Sequence, residues 1–425
     1  MDFQKHLEKY LTKEEISKLI SSFDEKEHKG VYLNTEKISD ETFKKLFPNV
    51  KKHPCVKHAF LYDQDEYNLG KKIYHEQGAY YIQDPSASIV SSLLPLNGDE
   101  RVLDLCAAPG GKTVQLSLRL NKGGVLVSND LSKSRALTLL QNVERMGLDN
   151  VVVTSLDFSL ISKRYENYFD AIVLDAPCSG SGMFRKNELM KTDWTYEKVQ
   201  KYAAIQKDLI LLAYSVLKEG GYLVYSTCSY SYEEDEEIVD YLLQKTTAKL
   251  QQIPEITGNF RSKKYPETIH LFPHLFPGEG HYIAIIQKPG FLTKNKITKV
   301  EYQRNCFTKG NKKEIQVFSL PNSIDQKLIE LSLRPGLFEK TIIGSEAIPS
   351  HHLSHALDAK DSIELSKEET CSYLEGNQIR KNNLDGYYFV SYNGINLGLV
   401  HAVNGLLKNL YPKGLRIHAK IDDSF

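Results

Sequence analysis

No stretch of this 425-residue chain approaches the roughly 18 consecutive apolar residues of a membrane helix. The opening residues Met1-Asp2-Phe3-Gln4-Lys5 lack the basic-then-apolar pattern of an export signal, so a cytoplasmic, membrane-free location is expected. No CxxC pair occurs among Cys55, Cys106, Cys178, Cys228, Cys306 and Cys371, and their spacing excludes a zinc ribbon or a small secreted disulfide scaffold. Reduced thiols and no bound metal are expected, each cysteine read by default as a small buried hydrophobe. Net charge is missing as well: 54 basic side chains meet 54 acidic ones, which argues against a uniformly basic nucleic-acid coat. Neither an internal repeat nor a low-complexity tract is present. What remains, 41% hydrophobic and 25% charged, is ordinary globular composition, and the length predicts two or three domains.

The charge balance conceals a gradient. Residues 1–100 carry 14 basic against 17 acidic side chains, residues 101–290 carry 22 of each, and residues 291–425 carry 18 against 15. The texture changes along the chain too. Residues 1–82 read as a small α/β module, with a capping box at Thr12 and Glu15, a strand at Gly30–Thr35 and a short helix opened by Ser39. Residues 83–289 alternate strands and helices, the pattern of a doubly wound parallel sheet. The strands are expected at Arg101–Cys106, Gly124–Asn129, Val151–Ser155, Asp170–Asp175 and Gly221–Thr227, with Tyr282–Gln287 entering antiparallel. Residues 290–425 begin with a basic connector (Lys294, Lys296, Lys299, Arg304, Lys309, Lys312, Lys313). They end in a β-rich block whose Asn393-Gly394 pair marks a hairpin.

Val102 through Thr113 read as a buried strand, a glycine-rich turn and a helix start. A phosphate-binding P-loop needs glycine where Cys106 stands, and the GxGxxG dinucleotide fingerprint is absent. S-adenosylmethionine, which has ribose, adenine and an amino-acid tail but no pyrophosphate, suits a turn built of Cys106, Ala107, Ala108, Pro109, Gly110, Gly111 and Lys112. Asp130, 19 residues after Gly111 at the next strand tip, is a candidate acceptor for ribose hydroxyls. Asp157 is a candidate for the adenine amino group, or equally a turn cap. Asp104, Asp130, Asp157, Asp175 and Cys228 all fall at or near strand C-termini, the edge where open α/β sheets bind ligands.

Strands four and five end in Asp175-Ala176-Pro177-Cys178 and Thr227-Cys228, which should place both thiols in one cleft. Ser231 and Glu234 read as a capping box, with the acids to Glu237 as a solvated first turn of no catalytic meaning. A methyl donor beside two thiols suits methylation of pyrimidine C5, a poor nucleophile that needs covalent activation at C6 and later loss of the C5 proton. Lys112 and Asp175 are candidates to position the ring and to hydrogen-bond or protonate N3. The residues alone do not choose which thiol attacks.

Taken together, Tyr80–Ala87, Asp104–Thr113, Asp175–Gly182, Thr227-Cys228-Ser229 and Phe272-Pro273-His274 resemble the Sun (Fmu) family of RNA cytosine-5 methyltransferases, over roughly residues 70–288. The resemblance implies a Rossmann-like class I methyltransferase domain using S-adenosylmethionine. It further implies Cys228 as nucleophile, Cys178 in product release, Lys112 and Asp175 lining the cytosine pocket, and Asp130, Asp157 and the Cys106–Lys112 turn holding the methyl donor. DNA cytosine-5 enzymes attack instead from a Pro-Cys motif, which here would be Cys178. Leu333–Leu337 and residues 398–416 are similar to the bacterial RsmF-like ribosomal branch, which carries a PUA-like RNA-binding module after the catalytic domain. Asp84 stands where Glu is common, and Gly280-His281-Tyr282 where Gly precedes aromatics; neither departure is expected to touch the chemistry. Among 25 Tyr and 17 Phe most should be core, so Lys408, Lys413, Arg416 and Lys420 are the better candidates for RNA backbone contact.

The expectation is therefore a monomeric RNA cytosine-C5 methyltransferase acting on 16S rRNA or the small ribosomal subunit. Transfer RNA is the alternative substrate, and a non-catalytic RNA-binding assembly factor the contrasting class.

Overall fold

The computed structural model describes residues 2–292, 305–322, 324–381 and 383–416. Lys294, Lys296, Lys299 and Arg304 of the basic connector, and Lys420, lie outside the described residues. The N-terminal part holds the expected helix at Lys13–Ser21, closed by the reciprocal Thr12–Glu15 capping box. Ser39 caps the helix Asp40–Leu46. Strands β1 (Lys29–Leu33), β2 (Lys51–Lys52), β3 (Ala59–Tyr62) and β4 (Tyr80–Gln83) pair antiparallel in the order β2-β3-β1-β4. Phe43, Phe47, Phe60 and Tyr80 are buried together in this module.

Strands β5 (Arg101–Asp104), β6 (Val125–Asn129), β7 (Val151–Thr154), β8 (Phe169–Asp175) and β9 (Leu217–Thr227) form a parallel sheet in the order β7-β6-β5-β8-β9. The short β10 (Lys249–Gln251), β11 (Phe260–Arg261) and β12 (Ile269–His270) extend it, and β13 (Tyr282–Gln287) runs antiparallel beside β9, as expected. Successive strand residues feed two different cores. Val102, Leu126, Val151 and Val153 bury on one face, and Leu103, Val127 and Val152 on the other. That is why these strands read as continuous apolar runs rather than alternations. Strand β5 stops at Asp104, short of the expected Cys106, because the chain must already turn toward the next helix. Its neighbours β6 and β8 lie on opposite sides, so the strand order reverses at the glycine-rich turn, the position where such sheets open a ligand crevice.

The C-terminal part contributes a four-stranded meander (Asn305–Gly310, Glu314–Leu320, Leu337–Ile343, Glu346–Pro349) and a five-stranded sheet. In the latter, Tyr392 pairs with Ile395 across Asn393 (φ 49°) and Gly394 (φ 70°), a two-residue hairpin turn with both centres left-handed. The hairpin tip docks on the N-terminal module, where Gln77 Nε2 donates to the carbonyls of Tyr392 and Ile395. The segment Leu333–Gly336 adds to the outer edge of β7, through Leu333 N to Val153 O at 2.8 Å and Gly336 N to Val151 O at 3.0 Å. It thereby covers an edge that would otherwise be an open template for pairing. Among the described residues no helix is long and apolar enough to cross a membrane.

Candidate active site

The turn after β5 is shaped by what its glycines omit. Gly110 sits at φ +120°, a conformation L side chains rarely adopt, and a Cβ on Gly111 would come within 2.4 Å of Gln83 Oε1. Lys112 then enters the first turn of the helix Gly111–Arg119. Two buried carboxylate oxygens on this edge lack a hydrogen-bond partner, Asp104 Oδ1 and Asp130 Oδ2. Asp104 is anchored through Thr113 Oγ1 at 2.8 Å, and burial pushes its carboxyl up to about 7. Asp130 accepts from Ser132 N at 3.0 Å, and the Arg135 guanidinium stands 3.4 Å from its other oxygen. Bare backbone beside unsatisfied acceptors fits a ligand bringing hydroxyl and ammonium donors. Burial pushes the Cys106 thiol up, which leaves it protonated and unreactive. Asp157 is exposed, and its Oδ1 caps a short turn by accepting from Ser159 N and Oγ. Leu131, next to Asp130, is 71% exposed and offers a flat apolar surface that no periodicity marks.

Strands β8 and β9 deliver Cys178 and Cys228 with their Sγ atoms 3.2 Å apart. The hydrogen bond with Cys228, and then burial, hold the Cys178 pKa well above the usual thiol range, so Cys178 keeps its proton. Lys112 Nζ lies 2.7 Å from Asp175 Oδ2, while Ser226 Oγ donates to Oδ1 at 2.7 Å. Burial opposes both charges of this pair, yet their mutual attraction outweighs it: Lys112 is raised and Asp175 lowered. Asp175 is therefore an acceptor, and Lys112 the group with protons to give.

The acids after Cys228 overturn the expectation made for them. The helix begins only at Glu236, Ser231 Oγ caps nothing, and Glu233, Glu234, Asp235 and Glu236 are all buried. Glu234 accepts from Ser179 N at 2.8 Å, Ser229 Oγ at 2.6 Å, Gln206 Nε2 at 3.1 Å and Ser179 Oγ, tying the two cysteine loops to one carboxylate. Glu233 faces His6 and Lys9 from the N-terminal helix turn. A run of acids looks solvated in sequence because its partners come from four distant segments. Asp235, Glu236 and His270 place ligand atoms within 4.8 Å of one another. His270 Nε2 and Glu236 lie 2.9 Å apart, and burial drives the Asp235 carboxyl strongly upward. The default reading of the cysteines also fails at two positions, since Cys55 and Cys306 are exposed.

Comparison with known proteins matches residues 91–287 to 16S rRNA methyltransferase RsmB/F, residues 1–85 to the N-terminal domain of RsmF, and residues 360–417 to the RsmF PUA domain. A ribosomal RNA small subunit methyltransferase F from Vibrio campbellii is 32% identical over 93% of both chains. The chain belongs to the RsmB/F methyltransferase family. A second relative of the same name from Vibrio atlanticus is 30% identical over 97% of each chain. A solved methyltransferase homologue from Pyrococcus horikoshii is 26% identical with a TM-score of 0.59, covering 67% of this chain and 93% of its own. The NSun6 structure from the same organism, with SFG, shares the fold at 21% identity and a TM-score of 0.62, covering 68% of this chain and 98% of its own.

In this RsmB/F chain the two departures from the family pattern are not peripheral. Asp84 caps the helix Pro85–Ser92 and accepts from Glu279 N at 3.1 Å, and His281 Nε2 stands 4.0 Å from Asp175 Oδ1. The segment around Gly280-His281 lies across the cysteine loops. A Cβ on Gly182 would meet Cys228 O at 2.7 Å and Glu279 O at 3.0 Å. Arg185 locks this segment down, with its Nε 2.9 Å from Glu279 Oε2 and its Nη2 2.7 Å from Gly278 O, both side chains almost wholly buried. Arg185→Ala breaks a buried ion pair by removing one partner, so urea unfolding should show a loss of about 3–5 kcal/mol.

The proposed RNA contacts sit in the PUA part. Lys408 on the strand Leu406–Asn409 and Lys413 are exposed. Arg416 is half-buried, its guanidinium packed so tightly that a Cβ on Gly376 would lie 2.6 Å from its Nε.

Proposed function

We propose that this RsmB/F member is an S-adenosylmethionine-dependent methyltransferase acting on C5 of a cytosine in small-subunit 16S rRNA, working in the cytoplasm as a monomer. The observation that carries this reading is the pair of thiols at 3.2 Å beside the Lys112–Asp175 ion pair. Cys228 attacks C6 of the base as thiolate, which moves electron density toward C5. Lys112 hydrogen-bonds the ring as that charge develops, and Asp175 accepts from a base N–H. Bound S-adenosylmethionine supplies the electrophilic methyl group. With Cys228 bonded to C6, the hydrogen bond that raised the Cys178 thiol is gone; Cys178 gives its proton to water and, as thiolate, takes up the C5 proton, after which the Cys228–C6 bond breaks and the Cys228 thiolate leaves. Asp130 Oδ2 suits the ribose hydroxyls, and the Cys106–Lys112 turn the amino-acid tail. Leu131 suits the adenine face, and the remaining Asp157 oxygen its amino group. The family relatives named for small-subunit ribosomal RNA support 16S rRNA over transfer RNA.

The test supplies the purified protein with methyl-labelled S-adenosylmethionine and, separately, 16S rRNA, assembled small subunits and bulk transfer RNA, followed by bisulfite sequencing. Label at cytosine in 16S rRNA or the subunit is the expected result. Label confined to transfer RNA would select the alternative substrate, and no label at cytosine would overturn the reading.

Lys408 and Lys413 are proposed to grip RNA phosphates at one patch, consistent with a neutral chain that needs no basic coat. Reversing both to Glu should weaken RNA binding and flatten its dependence on salt by about 1.5–2 units of logarithmic slope. Titration of labelled RNA at several salt concentrations checks this. An unchanged slope removes the patch from the interface.

A further inference from the structure

The segment that crosses the cysteine loops brings a histidine to the pocket, His281, 7% exposed. Its Nδ1 lies 3.1 Å from Ser86 Oγ and its Nε2 4.0 Å from Asp175 Oδ1. Counting hydrogens fixes which nitrogen is bare. Burial would raise the Asp84 carboxyl, but Lys186, the nearby His281 ring and the hydrogen bonds from Ser86 and Ala87 hold it down to about 2. Asp84 is therefore an ionised acceptor and takes the single Ser86 hydroxyl proton. Ser86 Oγ can then only accept from its other neighbours, Gly280 N at 3.2 Å and His281 Nδ1. The ring proton is thus on Nδ1. Burial, and then the Lys112 charge, lower the His281 pKa to about 4, so the ring is neutral. Nε2 carries a lone pair and stands beside the Asp175 carboxylate, itself an acceptor.

Two acceptors side by side make a pocket edge that accepts donors and repels carbonyls. Cytosine presents a 4-amino group with two hydrogens at the position where uracil presents an oxygen. A nitrogen about 2.9 Å from each acceptor fits in front of two that are 4.0 Å apart. We propose that His281 Nε2 and Asp175 Oδ1 together hold the 4-amino group of the target base, making His281 a residue that selects cytosine over uracil. The inference rests on the cytosine-C5 reading and adds the residue that enforces it.

The test compares single-turnover methyl transfer to two synthetic RNAs, one with cytosine at the target position and one with pyrimidin-2-one, which lacks the amino group. His281→Phe should slow transfer to the cytosine RNA about tenfold, the worth of one hydrogen bond, and change the pyrimidin-2-one RNA by less than about twofold. His281→Gln, which restores an acceptor, should recover most of the loss. Equal losses on both RNAs mark a merely structural role and overturn the proposal, as does an unimpaired His281→Phe. An unaltered protein inert on the cytosine RNA overturns the cytosine reading itself, and the His281 assignment falls with it.

Discussion

Cys228→Ala should reduce methyl transfer by about 10⁴-fold or more, because removing the attacking group of a covalent mechanism leaves only binding and orientation. The prediction is severe because no other thiol can substitute. Cys178 stays buried beside Glu234 and Asp175 when Cys228 is removed, which still raises its thiol, and the Cys106 thiol is pushed up by burial. The alanine loses one sulfur from a loop whose other anchors stay intact: Thr227 Oγ1 to Asp235, and Ser229 Oγ to Glu234 at 2.6 Å. RNA affinity and thermal melting should therefore be nearly unchanged while label transfer vanishes. Substantial remaining turnover would mean that the base is attacked by a different group, with Cys178 the first to examine.

The companion substitution, Cys178→Ala, is expected to act late rather than early. With the attacking thiol present, the base is captured and methylated, but no group stands ready to take the C5 proton. A covalent protein–RNA species should accumulate and survive denaturing electrophoresis, with multiple turnover lowered by about 10²–10⁴-fold, the usual worth of a positioned general base. The 3.2 Å separation of the two sulfurs makes this plain, since any atom bonded to Cys228 is brought within reach of Cys178. Digesting the trapped species and locating the cross-linked peptide should return Cys228. Absence of the adduct, with turnover intact, would take the release step away from Cys178.

The two substitutions therefore separate attack from release, and the pair of results is more informative than either. Loss of transfer without adduct in Cys228→Ala, and adduct without turnover in Cys178→Ala, is the pattern expected of thiols with separate roles. The structure supplies an asymmetry: the hydrogen bond between the sulfurs, and then burial, raise the Cys178 thiol.

The elements legible in the sequence are those with local causes. Thr12 and Glu15 announce a helix start three residues apart, Asn393-Gly394 a hairpin, and the apolar runs at Val102–Leu103 and Val125–Val127 buried strands. Backbone conformation and periodicity write themselves into adjacent residues, so these needed no tertiary information. The cysteine pair was legible for a related reason. Strand ends collect at one edge of a parallel sheet, so residues closing consecutive strands are brought together whatever the details. Glu234 and His281 were not legible. A short acidic run reads as surface because solvation is the cheapest fate for charge, and nothing adjacent to Glu234 reveals that Ser179, Gln206 and Ser229 will meet it.

What the sequence by itself determined is the chemistry on offer: two thiols, a lysine and an aspartate at strand ends, a turn with glycine where a side chain would collide, and no charge excess to spread RNA contact over the surface. Only the tertiary structure decided how the protons are distributed among those groups. Whether Cys178 keeps its proton, whether Asp175 accepts, and which nitrogen of His281 is bare depend on partners from β4 through β13 and on how much water each keeps. Protonation is set by burial and by charges a few ångströms away, and those distances do not exist until the chain has folded.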